Sequence, residues 1–171
     1  MAKTWMPREE FVRTLPRALH SASVLLFDPE GRLLLLHDSS SEGRAAKGWP
    51  QRWWAPGGLL REGEAPAKGA WREALEETGL HLAEPLVPVG VDFVPPAEGW
   101  PPVSSYFFST GPLTWEQVDS IALSDEHDDH QFHQLSDWEG QVSPTMHGRL
   151  TALVAAFAHE QQIVLHCGRP M

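Results

Sequence analysis

Three glutamates, Glu73, Glu76 and Glu77, stand at positions i, i+3 and i+4. In a helix turning about 100° per residue, this spacing brings their carboxylates to one side within roughly one turn. Like charges crowded in this way are unfavourable unless a cation neutralises them or one carboxyl keeps its proton. Hard carboxylate oxygens select Mg²⁺ or Mn²⁺ over zinc. A cation held there can neutralise phosphate oxygens, lower the pKa of a bound water and align attacking and leaving oxygens. Arg72 lies four residues before Glu76 and can orient part of the acidic cluster, while Glu64 can pair with Arg72. Gly57 and Gly58 precede the helix and offer backbone carbonyls toward the same place. The plain alternative is a solvated acidic helix face.

From Gly58 onward the order is Gly, five residues, Glu64, seven residues, then Arg72-Glu73-Ala74-Leu75-Glu76-Glu77-Thr78-Gly79-Leu80. This run resembles the Nudix box, in which the same residue types recur at the same spacings. Every charged and glycine position of the box is present; Ala74 stands where the family usually carries a larger aliphatic residue. The resemblance covers Gly58 to Leu80 and implies an α/β/α sandwich with a mixed β-sheet. It also implies Mg²⁺- or Mn²⁺-dependent hydrolysis of a diphosphate linkage in a nucleoside diphosphate derivative. On that resemblance Glu73 and Glu77 look like metal ligands, Glu76 a further ligand, and the Gly58 carbonyl another contributor. Family members differ in whether the general base comes from the box or a later loop. Here the later loop is Ser124-Asp125-Glu126-His127-Asp128-Asp129. Glu126 looks like the extra glutamate that several members place there, and His127 is a second candidate. The expected catalytic group is therefore Glu73, Glu76 and Glu126, supported by Arg72 and Glu64, and a solvated acidic turn is the alternative for the later loop.

The elements that must position these groups are legible in outline. The box helix starts near Glu64 to Pro66, where Glu62 and Glu64 suit the positive helix end, and Gly79 supplies the left-handed stop. Its apolar side is Ala67, Ala70, Trp71, Ala74, Leu75 and Thr78. Ser21 to Phe27, a turn at Asp28 to Gly31, and Arg32 to Leu36 read as strand, turn, strand, with continuous apolar runs suited to covering on both faces. Gln51 to Ala55 reads as a short strand. Further strands fall at Leu86–Phe93 and Val103–Ser109, joined across the proline-rich Pro95 to Pro102, and an edge strand at Gln131–Leu135. Thr145 to Glu160 carries Leu150, Leu153, Val154 and Phe157 at amphipathic helical spacing.

Successive strand residues face opposite sides, so one of Trp53 and Trp54 is expected in the core and the other, taken as Trp54, in the substrate cleft with His127. Trp100 in the proline-rich loop is a candidate lid. His127, His130 and His133 recur every third residue, but along a turn and strand they diverge, which disfavours a zinc site. His159, His166 and Cys167 read as surface or packing residues. Pro95 or Pro96 falls where members acting on ADP-ribose often carry a proline, a weak sign in so proline-rich a loop, and the pattern of coenzyme A-cleaving members is not visible.

The chain has 171 residues with 42% hydrophobic content, expected to fold as one domain over residues 1–171. The run from Ser39 through Gly43 to Gly48 reads as a surface loop. A net charge of -10 repels a polyphosphate backbone, so a small anionic substrate reached through a cation is expected and a nucleic-acid polymer is not. A single cysteine excludes a disulfide framework within the chain. The charged N-terminal segment lacks a secretory apolar core and no apolar run is long enough for a bilayer, so the expectation is a cytoplasmic protein without membrane contact. A homodimer is one assembly the sequence allows. Three competitors stand beside the enzyme: a catalytically silent nucleotide-binding module, which the intact glutamates oppose, an interaction protein using Trp49, Trp54 or Trp100, and a regulator with a similar sensor domain.

Overall fold

A computed structural model describes residues 5–40, 52–97 and 99–171. Trp49, Gln51 and most of the serine-glycine loop lie outside the described residues. The chain runs α1 (Arg8–Thr14), β1 (Leu19–Leu25), β2 (Leu33–Asp38), β3 (Trp53–Trp54), β4 (Gly57–Leu59), α2 (Pro66–Thr78), β5 (Val87–Val94) and β6 (Val103–Ser109). It continues through α3 (Trp115–Asp119), β7 (His127–His133), a 3₁₀ turn (Leu135–Trp138), α4 (Pro144–Ala158), β8 (Ile163–His166) and β9 (Arg169–Pro170). The strands form a mixed six-stranded sheet, β4-β1-β6-β5-β8-β9, and a three-stranded sheet, β3-β2-β7. The α/β class with a mixed sheet is as expected.

The turn after β1 returns the chain along its neighbour only briefly: Phe27 and Leu33 bridge antiparallel, with the Asp28 N–H donating to the Arg32 carbonyl at 3.0 Å and the Leu34 N–H to the Leu26 carbonyl at 2.9 Å. Beyond this bridge β1 pairs with β4 and β6, while β2 pairs with β3 and β7. Asp28 holds the turn: its carboxylate accepts from the backbone N–H groups of Glu30 and Arg32 and is clamped by the Arg32 guanidinium. The continuous apolar runs serve two cores by strand alternation. Ala22, Val24, Leu26, Leu34 and Leu36 face one cluster, together with Ala70 and Ala74 of α2. Leu25, Phe27, Leu33 and Leu35 face the other, with Trp138 and with Leu150 and Leu153 of α4. The helices therefore lie on opposite sides of the strands, α2 over the box side and α4 over the other.

β7 starts earlier than its residue types suggest. The strand runs from His127 rather than Gln131, and Leu135 opens the 3₁₀ turn. Pairing decides this: β2 carries the ladder up to Asp38 opposite His127, and the Ser39 N–H extends it to the Glu126 carbonyl at 3.0 Å. The acidic loop is thus drawn onto the end of β2. No helix among the described residues is long and apolar enough to cross a membrane.

Candidate active site

α2 begins on Pro66 at its first turn, with Ala65 at the N-cap and no side-chain cap. The Glu64 carboxylate pairs with Arg72, as its spacing allows, and also accepts from the Arg61 backbone N–H. Gly79, at φ 72°, closes the other end by donating to the Leu75 carbonyl at 2.9 Å. Ala74 is fully buried under β1. A small residue there lets the helix approach the sheet closely.

Arg72 is the hub of the box. Its Nε and Nη2 each lie 2.8 Å from one oxygen of Glu64, a bidentate pair. Nη1 donates to Glu73 at 2.7 Å and to Glu76 at 2.9 Å. The fork pushes Glu64 down to a pKa of about 2, through its hydrogen bonds to Arg72 first and the Arg61 backbone second. The Arg72 guanidinium is correspondingly held in its charged form. Arg61, at a position inside the box that carries no charge signal of its own, reaches the outer oxygen of Glu76 at 2.9 Å.

Glu77 departs from its neighbours. The sequence places it on one face with Glu73 and Glu76, but the extra turn of about 100° past Glu76 points it at the sheet. Glu76 is exposed, whereas Glu77 is only 7% exposed, and its Oε2 accepts the Gly57 N–H at 2.8 Å. Burial pushes its carboxyl up to about 8; Gly57 opposes the shift, and Glu73, Glu126 and Glu76 add to it. His127 Nε2 stands 3.8 Å from the other oxygen, and its buried Nδ1 has no hydrogen-bond partner among the described residues. Burial holds His127 below the usual imidazole range, so it is neutral at neutral pH. Glu126 is exposed on the same loop and close enough to act on Glu77. Asp128 pairs with His37 Nδ1, tying the loop to β2.

Gly58 faces Ala22 across the β1–β4 pair, and a Cβ there would stand 2.6 Å from Glu73 Oε1. Its bare backbone leaves the Glu73 carboxylate its place. Both Trp53 and Trp54 are half-buried and pack against the Trp138 side of the core. Trp53 packs between His37 and Trp138, with ring centroids 4.9 and 5.2 Å away. His130 and His133 do not join His127: His130 lies edge-on to Phe132, and His133 meets Gln131 and Trp138. Trp100 sits exposed in a turn closed with Ala97.

Among the described residues no three histidine, cysteine or acidic side chains already stand in a metal-holding group. The Arg72 guanidinium lies between Glu64, Glu73 and Glu76 and is hydrogen-bonded to all three. The donor set nevertheless suits a hard divalent cation. It consists of carboxylate oxygens, and burial with the neighbouring carboxylates raises the Glu77 carboxyl to about 8, a shift that a cation would relieve.

An acidic helix tethered by one arginine beneath a glycine strand, at the junction of two sheets, defines a phosphate-chemistry scaffold. The NUDIX domain model matches residues 17–158. The fold is similar to the MutT protein from Methanosarcina mazei Go1, with TM-score 0.61 and 21% identity over 86% of this chain and 98% of that one. It is similar to a C. elegans Ap4A hydrolase, with TM-score 0.60 and 23% identity over 83% and 96%. A NUDIX hydrolase from Nitrosomonas europaea matches at TM-score 0.59 and 15% identity over 91% and 94%. The chain belongs to the Nudix hydrolase family, and with it to the pyrophosphohydrolases. Members of that family generally use divalent metal ions.

Proposed function

We propose that this protein hydrolyses a diphosphate linkage in a nucleoside diphosphate derivative, with Mg²⁺ or Mn²⁺ held by Glu73, Glu76 and Glu77 and the Gly58 carbonyl. The observation that carries this reading is the convergence of the box glutamates at the β4–α2 junction around Arg72 and Gly57. A bound divalent ion supplies charge neutralisation of the phosphate oxygens and acidifies water for attack on phosphorus. Arg72 fixes Glu73 and Glu76 in direction, and Gly57 fixes one oxygen of Glu77, leaving the other turned toward His127. Glu126 is the base we assign to take the water proton; neutral His127 is the second candidate and also a substrate contact. Trp54, half-buried beside the core, is assigned to the substrate base. The substrate is a small nucleotide-type molecule, and the likeness to an Ap4A hydrolase and a MutT protein supports that class. A single domain over residues 1–171, a cytoplasmic setting and a test for a homodimer belong to the same reading.

Phosphatase-coupled turnover across nucleoside triphosphates, dinucleoside polyphosphates, ADP-ribose and NADH, with Mg²⁺, Mn²⁺ or chelator, tests it. Metal-dependent release from one class is expected. Metal binding with silence across the panel favours the nucleotide-binding module instead.

A further inference from the structure

The two guanidinium groups at the box are held very differently. Arg72 is 15% exposed and makes four charge-assisted contacts to three carboxylates. Arg61 is 65% exposed and, among the described residues, its side chain has a single hydrogen-bond contact, 2.9 Å to Glu76, itself 47% exposed. Its backbone is fixed, because the Arg61 N–H donates to Glu64 Oε2 at 2.9 Å, the carboxylate that clamps Arg72. The result is an anchored residue with a loose arm. An exposed ion pair of this kind contributes little and is readily exchanged for a stronger counter-charge. Arg61 also lines a hollow of about 310 Å³ together with His20, Leu59, Leu60, Glu62 and Glu64, open to solvent beside the box.

We infer that Arg61 is a displaceable counter-cation of Glu76: it yields that carboxylate to the divalent ion and then contacts a phosphate of the bound diphosphate. The inference rests on the proposed metal-dependent reading of the site. Its physical basis is the pairing itself. While the guanidinium occupies the Glu76 oxygen, a cation arriving at the cluster must compete with it; once released, it stands at the edge of the cluster and adds a second positive charge, beside the ion, for an anionic substrate. A planar donor fork suits a phosphate oxygen pair. Arg72 cannot take this role, since its fork is committed to Glu64.

The two halves of the inference predict effects of opposite sign in one variant, which general damage to the fold cannot imitate. Mn²⁺ binding is read by electron paramagnetic resonance, and binding of α,β-methylene-ADP, a non-hydrolysable diphosphate, by calorimetry with Mn²⁺ present. In Arg61→Ala, Mn²⁺ is expected to bind about three- to fivefold tighter, the worth of a lost exposed pair. The same variant is expected to bind the diphosphate about tenfold more weakly, with Arg61→Lys recovering part of the loss. Glu76→Gln serves as the control and should weaken Mn²⁺ binding. If Glu76→Gln weakens Mn²⁺ but Arg61→Ala leaves metal or diphosphate affinity unchanged, the inference falls and the metal site stands. If the wild-type chain binds no Mn²⁺, or Glu76→Gln binds it equally well, the site reading falls and this inference with it.

Discussion

Glu77 is a carboxyl that the folded chain alone cannot comfortably ionise. Its pKa lies near 8, against 4.5 for an unperturbed glutamate, because burial outweighs the one N–H that Gly57 donates. The folded state therefore holds this proton more tightly than the unfolded state does. Its stabilising share is present below about pH 4.5 and is lost as pH rises through about 8. In chelator, the melting temperature should fall between pH 5 and pH 8, and Glu77→Gln should flatten that slope; an identical slope in both proteins would refute the assignment. Gly58 gives a second test at this scale. A Cβ there meets the far end of the Glu73 side chain rather than backbone, so Gly58→Ala displaces the carboxylate at small structural cost. Turnover should drop about a hundredfold with little change in melting temperature. Retained turnover would show that the placement of Glu73 is not critical.

At the scale of elements, α2 functions as a rigid bar whose charged groups are set by one arginine. Arg72→Lys keeps the charge but cannot hold Glu64 bidentately while reaching Glu73 and Glu76. Urea unfolding should register a loss of about 1–3 kcal/mol, and an unchanged midpoint would mean the fork is decorative. This helix was legible in the sequence because its signals are local: Pro66 at the start, Gly79 at the end, and charged residues at fixed intervals between. The outward or inward direction of Glu77 was not, since spacing alone does not say where the sheet lies. Arg61 was missed because its partners, Glu76 and Glu64, belong to a different signal in the same motif. β7 was placed too late because His127, Asp128 and Asp129 resemble loop residues; only the β2 partner turns them into strand. The two-residue β9 and the short β8 carry too few alternations to be read at all.

For the whole molecule, the decisive feature is the division of β1 and β2 between two sheets. The long apolar runs announced burial on both faces, and that much was legible; that the strands would part after a single bridge at Phe27 and Leu33 was not, because the turn residues suit a full hairpin equally well. The split places β4 and α2 on one side of β1 and brings β7, with Glu126 and His127, to the end of β2 near Glu77. α1 stands outside this arrangement: no residue in it is buried, and Trp5, Met6, Phe11, Val12 and Leu15 are exposed. Removing residues 1–15 should leave the melting temperature and turnover within error of the full chain; a large loss of either would show that α1 supports the core or site. The central claim, that the box glutamates direct water at a diphosphate linkage through a divalent ion, is tested most directly by turnover of wild type and Glu77→Gln side by side, with Mg²⁺ and with chelator. Product is expected only from the wild type with metal, with at least a thousandfold less from a folded Glu77→Gln, on the order of 4 kcal/mol. Turnover that persists in chelator, or survives the substitution, would contradict it.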